Sequence, residues 1–203
     1  GQYDQVDYYE WLMSCPGKLH LRAGDVPAAE AWLKVPDDGD DSWKESLADN
    51  GRFKVGLNFQ GSPEFPHDQF RSLDVRYFQP LFERPDVDMI SIQKGFGEDQ
   101  LDKLPKDSLV AVGHLLDRGH DSFADTARCL HGLDLLITSD TAVAHLAGAL
   151  GLKVWVVLST VVDWRWSLSG ETSSWYPTMR LFRQRTRGDW EPVISDLMHA
   201  LDR

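Results

Sequence analysis

Cysteine and long apolar runs are scarce in this sequence. Its 203 residues include two cysteines, Cys15 and Cys129, too few and too unpatterned for a disulfide framework or a zinc site. We therefore expect reduced thiols in a cytoplasmic protein. No apolar run approaches the roughly 20 residues that a membrane helix needs. Residues 1–10 are acidic and aromatic, unlike a signal peptide. The sequence thus predicts neither a membrane span nor a secretory leader.

Positive charge is also in short supply. Lysine and arginine number 21 against 32 aspartates and glutamates, which gives a formal net charge of −11. A protein that binds nucleic acid through its phosphates needs a basic surface, so this balance argues against a nucleic-acid partner. It also means that an anionic ligand must be held locally, by arginine, histidine and helix ends.

Several common catalytic motifs are missing. The sequence has no Walker A pattern, no G-x-G-x-x-G fingerprint after a strand, no G-x-S-x-G elbow and no H-E-x-x-H motif. The carboxylates of Asp134, Asp140 and Asp163 have no spacing that specifies a metal. The residue pattern therefore points to none of these nucleotide-binding, hydrolase or metalloprotease chemistries.

The most informative stretch is a β-α-β unit at residues 133–158. An apolar run at 135–138 predicts a buried parallel strand. Ser139 and Asp140 suit the N-cap of the helix of small residues that follows, and Gly151 suits its end. The amino terminus of a helix that follows a parallel strand is a common phosphate site, because free N–H groups and the helix dipole favour an anion.

His145 lies one turn into this helix. It could reach a bound phosphate, or it could be a core histidine bonded to a backbone carbonyl. The sequence leaves these two interpretations open.

Strands and helices alternate over the rest of the chain. We predict strands at 54–59, 88–92, 109–112, 135–138, 154–158 and 179–182, and further helices at 75–82, 122–130 and 192–201. Ser122 and Asp125 resemble a capping box for the second of these helices. This alternation predicts an α/β fold with a doubly wound parallel sheet.

Residues 1–52 do not look like a complete unit. We predict a linker or the tail of a preceding domain, with short helices at 27–33 and 42–47, before a domain at 53–203. An irregular extension of a single domain is the alternative. The aromatic cluster in this region is expected to pack onto the domain that follows; it comprises Tyr3, Tyr8, Tyr9, Trp11 and Leu12.

Three loops after predicted strands carry residues that suit a ligand site. They are Gly61, Ser62 and Arg71 after the first strand, Gln93 after the second, and Asp163, Trp164, Arg165 and Trp166 after the fifth. Glycine lets backbone approach a ligand, arginine can clamp a phosphate, and an amide can read a base or sugar edge. The two tryptophans suggest a platform or a lid. For the first loop, the alternative is a solvated surface loop.

Residues 139–151 resemble the diphosphate-binding segment of the heptosyltransferase-like glycosyltransferases, glycosyltransferase family nine. The bacterial versions fused to tetratricopeptide repeats are the most similar. Other blocks agree in the same order, among them 55–57, 71–73, 91–93, 123–127, 163–166 and 175–177. The resemblance covers roughly residues 54–203. One departure is at the end of the first strand, where relatives usually have a tryptophan and this sequence reads Asn58-Phe59-Gln60-Gly61.

The resemblance implies a GT-B fold of which this chain is the carboxyl-terminal, Rossmann-like half that binds a nucleotide-sugar donor. Carried over by position, Ser139, Asp140, Thr141, Ala142 and His145 belong to the diphosphate site, with Gly61, Ser62 and Arg71 approaching from the first loop. Gln93 is expected to face the base or ribose, and Asp163 to Trp166 the donor sugar or acceptor. The family transfers sugars with inversion, usually without a metal, so we expect no metal and no cofactor besides the nucleotide-sugar substrate.

Three functions remain open after this reading. The first is the donor-binding half of a glycosyltransferase, inactive alone because the base usually comes from an amino-terminal domain that is mostly absent here. Its acceptor could be a sugar, a lipid-linked group or a protein. The second is a non-catalytic nucleotide-sugar-binding or scaffolding module. The third is a GT-B sugar-nucleotide epimerase, which no acid–base pair in the sequence supports.

Overall fold

A six-stranded parallel sheet forms the centre of the molecule. The computed structural model describes residues 8–11, 14–22, 25, 31–47, 50–119 and 122–202. The strands are β1 Phe53–Asn58, β2 Val87–Ser91, β3 Val110–Ala111, β4 Leu135–Ser139, β5 Val154–Leu158 and β6 Met179–Arg183. Their order is β3-β2-β1-β4-β5-β6, and every pairing is parallel. The predicted doubly wound α/β fold is therefore confirmed.

Helices cover both faces of this sheet. The α-helices are α1 Cys15–Lys18, α2 Asp68–Arg71, α3 Gln79–Phe82, α4 Ala124–His131, α5 Ala142–Ala149 and α6 Glu191–Leu201. Short 3₁₀ helices span Ser42–Ser46, Val75–Phe78, Glu98–Lys103, Gly113–Leu115 and Trp164–Trp166. Among these described elements, no helix is long and apolar enough to cross a membrane.

Alternate residues of the strands fill two hydrophobic cores, one on each face. On β4, Leu136 belongs to the core with α4 and α5, whereas Leu135 and Ile137 belong to the core with α3 and α6. Helix α5 lies close to its neighbours because its residues are small. A Cβ on Gly148 would stand 2.5 Å from the Cε of Met179 and 2.6 Å from the Cγ of Tyr176.

The strand order reverses between β1 and β4. Strands β2 and β3 extend the sheet from one side of β1, and β4, β5 and β6 extend it from the other. In open α/β sheets the loops at such a reversal part and leave a crevice at the carboxyl ends of the strands. The loops after β1, β2 and β4 therefore converge on one place.

Two predicted helices differ from the structure. The helix expected at 75–82 divides into a 3₁₀ turn and α3, because Pro80 has no N–H to continue the α-helical ladder. The capping box expected at α4 does not form. The carboxylate of Asp117 takes that role and accepts the N–H groups of Asp125 and Thr126 at 2.9 and 3.2 Å.

The segment before β1 is partly docked on the domain. Trp43 is buried in the core beside α4, within the predicted helical segment at 42–47, and Asp40 N–H donates to the Asp125 carboxylate at 2.9 Å. The two ion pairs Asp40–Arg118 and Asp41–Arg128 add to this contact. The predicted boundary at residue 52 stays a prediction.

Further upstream the expected packing is not found. Tyr8, Tyr9 and Trp11 are largely exposed, so the prediction that they pack onto the domain is wrong, whereas Tyr3 and Leu12 lie outside the described residues. Residues 31–33 are not helical, and 27–30 also lie outside the described part. Cys15 and Cys129 are both free thiols.

Candidate functional site

An open cleft of about 420 Å³ occupies the point where the strand order reverses. Its walls include Asn58, Gly61, Ser62, Arg71, Gln93, Thr141 and Ala142. The cleft thus brings together predicted site residues from the loops after β1, β2 and β4.

The amino terminus of α5 forms one wall of the cleft. Ala142 and Val143 are its first two residues, and both line the cavity. Neither N–H group donates a hydrogen bond to a described residue, as expected for the first turn of a helix. Two unpaired donors at the positive end of the helix dipole therefore belong to residues that line the cleft, which is an arrangement that attracts an anion.

The N-cap of α5 is Thr141, so the prediction of Ser139 or Asp140 at this position is wrong. Thr141 has extended backbone, with φ −133° and ψ 170°, and its side chain makes no capping bond. Its hydroxyl instead donates to Asn58 Oδ1 at 2.9 Å. Ser139 is fully buried at the end of β4, below the surface of the cleft.

Arg71 ties the loop after β1 to the loop after β4. Its Nη1 donates to the carbonyl oxygen of Asp140 at 2.8 Å, and its Nε donates to Asp68 Oδ1 at 2.9 Å. The ring of Phe65 lies 4.2 Å from the guanidinium carbon. The Nη2 group has no hydrogen-bond partner among the described residues, so it remains free to donate to a ligand in the cleft.

Gly61 is required by this arrangement. A Cβ at this position would lie 2.6 Å from both Arg71 Nη2 and Asp68 Oδ1. The Gly61 N–H donates to Ser72 Oγ at 3.0 Å, and that hydroxyl donates to Asp68 Oδ2 at 2.8 Å. The two ends of the loop are therefore hydrogen-bonded to each other, whereas residues 63–67 between them are exposed, as the alternative of a solvated surface loop predicts.

Gln93 is used to fix the loops. Its Oε1 accepts from Asn58 Nδ2 and from the N–H groups of Phe59 and Gln60, at 3.0 to 3.1 Å. Its Nε2 donates to the carbonyls of Gln60 and Phe96 at 2.9 and 2.6 Å. Contact between Gln93 and a base stays a prediction, but these bonds leave its amide no unpaired hydrogen and indicate that it positions the loops.

Asn58 is a site residue that the sequence marks only as part of a departure from relatives. Its side chain joins Gln93 after β2 to Thr138 near the end of β4 and to Thr141 in the loop that follows, at 3.1, 3.3 and 2.9 Å. A polar residue at the end of a buried apolar strand was the signal available in the sequence. The network fixes the three strand ends relative to one another.

His145 does not line this cleft. Its ring stacks on Trp166, with centroids 4.9 Å apart and planes at 19°, and its Nδ1 shares a 3.1 Å hydrogen bond with the Tyr176 hydroxyl. It is thus bonded to a side chain rather than to a backbone carbonyl. Burial lowers the pKa of His145, with the Asp140 carboxylate opposing, so the imidazole is neutral at pH 7.

The carboxylates near this ring differ in environment. Burial raises the pKa of Asp140, and the nearby His145 and Arg71 oppose that shift. Asp163 accepts hydrogen bonds from the backbone N–H and the Nη1 of Arg165, at 3.0 and 2.9 Å. Among the described residues, no group of three or more His, Cys, Asp or Glu could hold a metal ion.

The two tryptophans after β5 have different environments. Trp166 is only 1% exposed beneath His145, so it belongs to the core and not to a platform. Trp164 is 58% exposed, lies 4.8 Å from the Arg165 guanidinium carbon and meets Trp175 edge-on at 5.6 Å. Only Trp164 of the pair presents an exposed ring for a ligand.

The chain is similar to known proteins in sequence and in fold. No family model matches the sequence. Protein FlbA of Caulobacter vibrioides is 26% identical over 204 residues, which cover 98% of this chain and 33% of FlbA. The solved structure of E. coli ADP-heptose LPS heptosyltransferase II is similar with a TM-score of 0.52 and 14% identity, over 78% of this chain and 49% of that one.

A glycosyltransferase of family 9 from Veillonella parvula gives a TM-score of 0.45 at 12% identity, over 79% of this chain and 41% of that one. The predicted likeness to heptosyltransferase-like glycosyltransferases is confirmed for the fold. The chain spans about half the length of heptosyltransferase II and a third of FlbA.

Proposed function

We propose that this chain is the donor-binding half of an inverting, metal-independent glycosyltransferase with a GT-B fold, and that it binds a nucleotide-diphosphate sugar. The observation that carries the proposal is the amino terminus of α5, where Ala142 and Val143, whose N–H groups have no acceptor among the described residues, line a cleft at the reversal of the strand order. The similarity in fold to heptosyltransferase II supports it.

In this proposal the diphosphate lies across the start of α5. Backbone donors of Ala142 and Val143 bind its oxygens, and Arg71 Nη2 adds a charge-assisted hydrogen bond from the opposite loop. Gly61 allows that guanidinium to stand beside the backbone. These donors also suit the nucleoside diphosphate that leaves when the sugar is transferred, because its negative charge grows in the transition state.

The donor sugar is proposed to extend toward the loop after β5. Trp164 offers an exposed ring there, and Asp163 and Arg165 lie near Asp140 and His145. Asp140 and the neutral His145 lie on the side of the proposed site next to the loop after β5. The contacts of His145 with Trp166 and Tyr176 hold that loop in place. The proposed acceptor is a sugar, a lipid-linked group or a protein, and it is bound by a part of the protein other than the described residues.

Catalysis is proposed to need a second, amino-terminal domain. The carboxylate of Asp68 is bonded to Arg71 and Ser72, and that of Asp117 to α4, so neither is free to act as a base. The chain spans about half of heptosyltransferase II, which agrees with a missing half. We propose a bacterial, cytoplasmic protein in which this half follows tetratricopeptide repeats or another domain.

A non-catalytic binding role is the second candidate. The same engagement of Asp68 and Asp117 favours it, because neither carboxylate is free to act as a general base. The two candidates share ligand binding and differ in transfer. A longer protein that includes the preceding domain should transfer sugar from the donor under the first and not under the second.

Calorimetric titration of the 203-residue chain with ADP, GDP, UDP and their sugar conjugates tests the shared proposal. We expect saturable binding of at least one nucleotide. Arg71→Gln should weaken it about tenfold or more, since a hydrogen bond to a charged phosphate contributes roughly 1.5–3 kcal/mol. Arg76→Gln is the matched control, because Arg76 is exposed and pairs with Asp74 away from the cleft. A folded chain that binds none of these ligands contradicts the proposal.

A further inference from the structure

Two exposed phenylalanines stand in the wall of the cleft beyond its phosphate-binding end. Phe96, in the loop after β2, is 52% exposed, and Phe123, just before α4, is 43% exposed. Both line the same cavity as Thr141 and Ala142. Exposed aromatic rings inside a cleft that also holds a few polar groups are typical of ligand contact.

The loop that carries Phe96 is built to present it. Gly95 and Gly97 on either side have φ of 73° and 89°, which a side chain rarely adopts. The Phe96 carbonyl accepts a hydrogen bond from Gln93 Nε2 at 2.6 Å. The ring is therefore held outward by a fixed backbone, with little freedom to fold into the core.

Phe123 is held in a strained conformation. Its φ is 68°, in the left-handed region that is unfavourable for a bulky residue. The Asp117 carboxylate fixes the start of α4 next to it, and Lys94 Nζ donates to the carbonyls of Leu116 and Asp117, which links the loops of both phenylalanines. The strain persists because the surrounding bonds hold the backbone and the ring at the cleft.

Most polar side chains at this end of the cleft are already engaged; an exception among the described residues is Gln60, whose Oε1 accepts from Gln100 Nε2 and whose Nε2 has no acceptor. Both oxygens of Asp117 accept bonds from α4, the Lys94 ammonium is bonded to two carbonyls, and the Gln93 amide is saturated. Few groups therefore remain to read the donor and acceptor pattern on a base edge. The two rings offer apolar faces, on which any base can stack.

We infer that Phe96 and Phe123 hold the nucleobase of the ligand by its faces, so that the cleft selects the base by stacking area and not by its edge. This inference rests on the proposed binding of a nucleoside diphosphate. It predicts that purines bind better than pyrimidines because they offer more area, and that adenine and guanine are poorly distinguished.

The test is calorimetric titration of the 203-residue chain with ADP, GDP, UDP, CDP and inorganic pyrophosphate. We expect ADP and GDP to agree within about threefold, and both to bind about fivefold or more tightly than UDP and CDP, the effect of a partial change in stacking. Phe96→Ala should lower purine affinity about fivefold or more and leave pyrophosphate affinity unchanged. Phe53→Ala is the control, at a 39% exposed phenylalanine that begins β1, at the opposite end of the strand from the cleft.

Phe123→Gly is the sharper variant. Glycine adopts a φ of 68° without strain, so the variant should be at least as stable to heat as the parent while losing purine affinity. A Phe123→Gly chain that unfolds at a higher temperature and binds purine nucleotides less tightly would show that the Phe123 ring serves ligand binding and not folding.

The outcomes separate this inference from the proposal beneath it. If neither pyrophosphate nor any nucleotide binds, the proposed function fails and the base site fails with it. If nucleotides bind but the phenylalanine variants leave their affinities unchanged, the base site alone is overturned and the rings face another partner, such as the missing domain. A tenfold or greater preference between ADP and GDP shows edge recognition and also overturns it.

Discussion

The proposed role of the first turn of α5 in binding a diphosphate can be tested with a substitution that removes one backbone N–H group. Ala142 is the first residue of the helix and is exposed, so Ala142→Pro places a ring toward open space. Proline is favoured at this position because the N–H there has no partner within the helix. The preceding residue, Thr141, has extended backbone with φ −133° and ψ 170°, which is what a residue before proline prefers. The helix should therefore form as before.

The expected effect on binding follows from the charge of the ligand. A hydrogen bond to a charged group contributes roughly 1.5–3 kcal/mol, which is about 10- to 150-fold in affinity. Stability should stay the same or rise by about 0.4–1 kcal/mol, since proline restricts the unfolded chain. Loss of affinity without loss of stability is a result that general damage to the fold does not produce.

Calorimetric titration with the tightest-binding nucleoside diphosphate measures the first quantity, and thermal unfolding measures the second. Ala142→Ser is the matched control, because it also changes the side chain at this exposed position and keeps the N–H. It should bind like the parent chain. If Ala142→Pro is folded and its affinity equals that of Ala142→Ser, the diphosphate does not use this N–H and the placement of the ligand on α5 is wrong.

Three further predictions concern the surroundings of this helix. Gly61→Ala should displace Arg71, because the new Cβ would stand 2.6 Å from its Nη2, and so weaken diphosphate binding about tenfold in titration while thermal stability changes little. Equal affinity would show that Arg71 does not touch the ligand. Burial lowers the pKa of His145, so its contribution to stability is present above the usual value of 6.5 and is lost as pH falls toward the lowered pKa. Denaturant titration of the parent and His145→Gln should therefore show a smaller difference at pH 5.5 than at pH 7.5, and a constant difference would contradict the shifted pKa. Trp43→Ala should lower the free energy of unfolding by about 3–5 kcal/mol, since the ring is buried, whereas exposed Trp11→Ala should change it by less than about 0.5 kcal/mol.

The unit from β4 to β5 could be predicted because its signals are local. A continuous apolar run indicates a parallel strand buried on both faces, and a helix of small residues ending at Gly151 indicates close packing. Gly151 has φ 74°, as that helix end requires. The N-cap was placed at Ser139 or Asp140 because those types are favourable, but Ser139 completes the buried end of β4, and the chain turns only at Thr141.

The rest of the site depends on contacts between distant parts of the chain. Nothing local in the sequence shows that Gln93 is saturated by Asn58 and by the loop after β1. Equally, Trp164 and Trp166 have the same residue type and nearly the same position, yet one is exposed and the other lies under His145. Hydrophobic periodicity cannot distinguish the exposed ring from the buried one. The direction of each ring depends on the 3₁₀ turn after Asp163, and the ring that covers Trp166 belongs to His145 of α5.

Arg71 shows most directly how tertiary structure makes the site. Residue type alone predicts a phosphate clamp, but two of its nitrogens are bonded to Asp68 and to the Asp140 carbonyl, and one remains for a ligand. The bond to that carbonyl fixes the turn that leads into α5, so the same side chain both supplies a donor and positions the helix donors. In a chain of net charge −11, such a site does not depend on a general positive surface. It binds an anion through a few oriented groups, and these groups are oriented only when the loops after β1 and β4 have come together across the sheet.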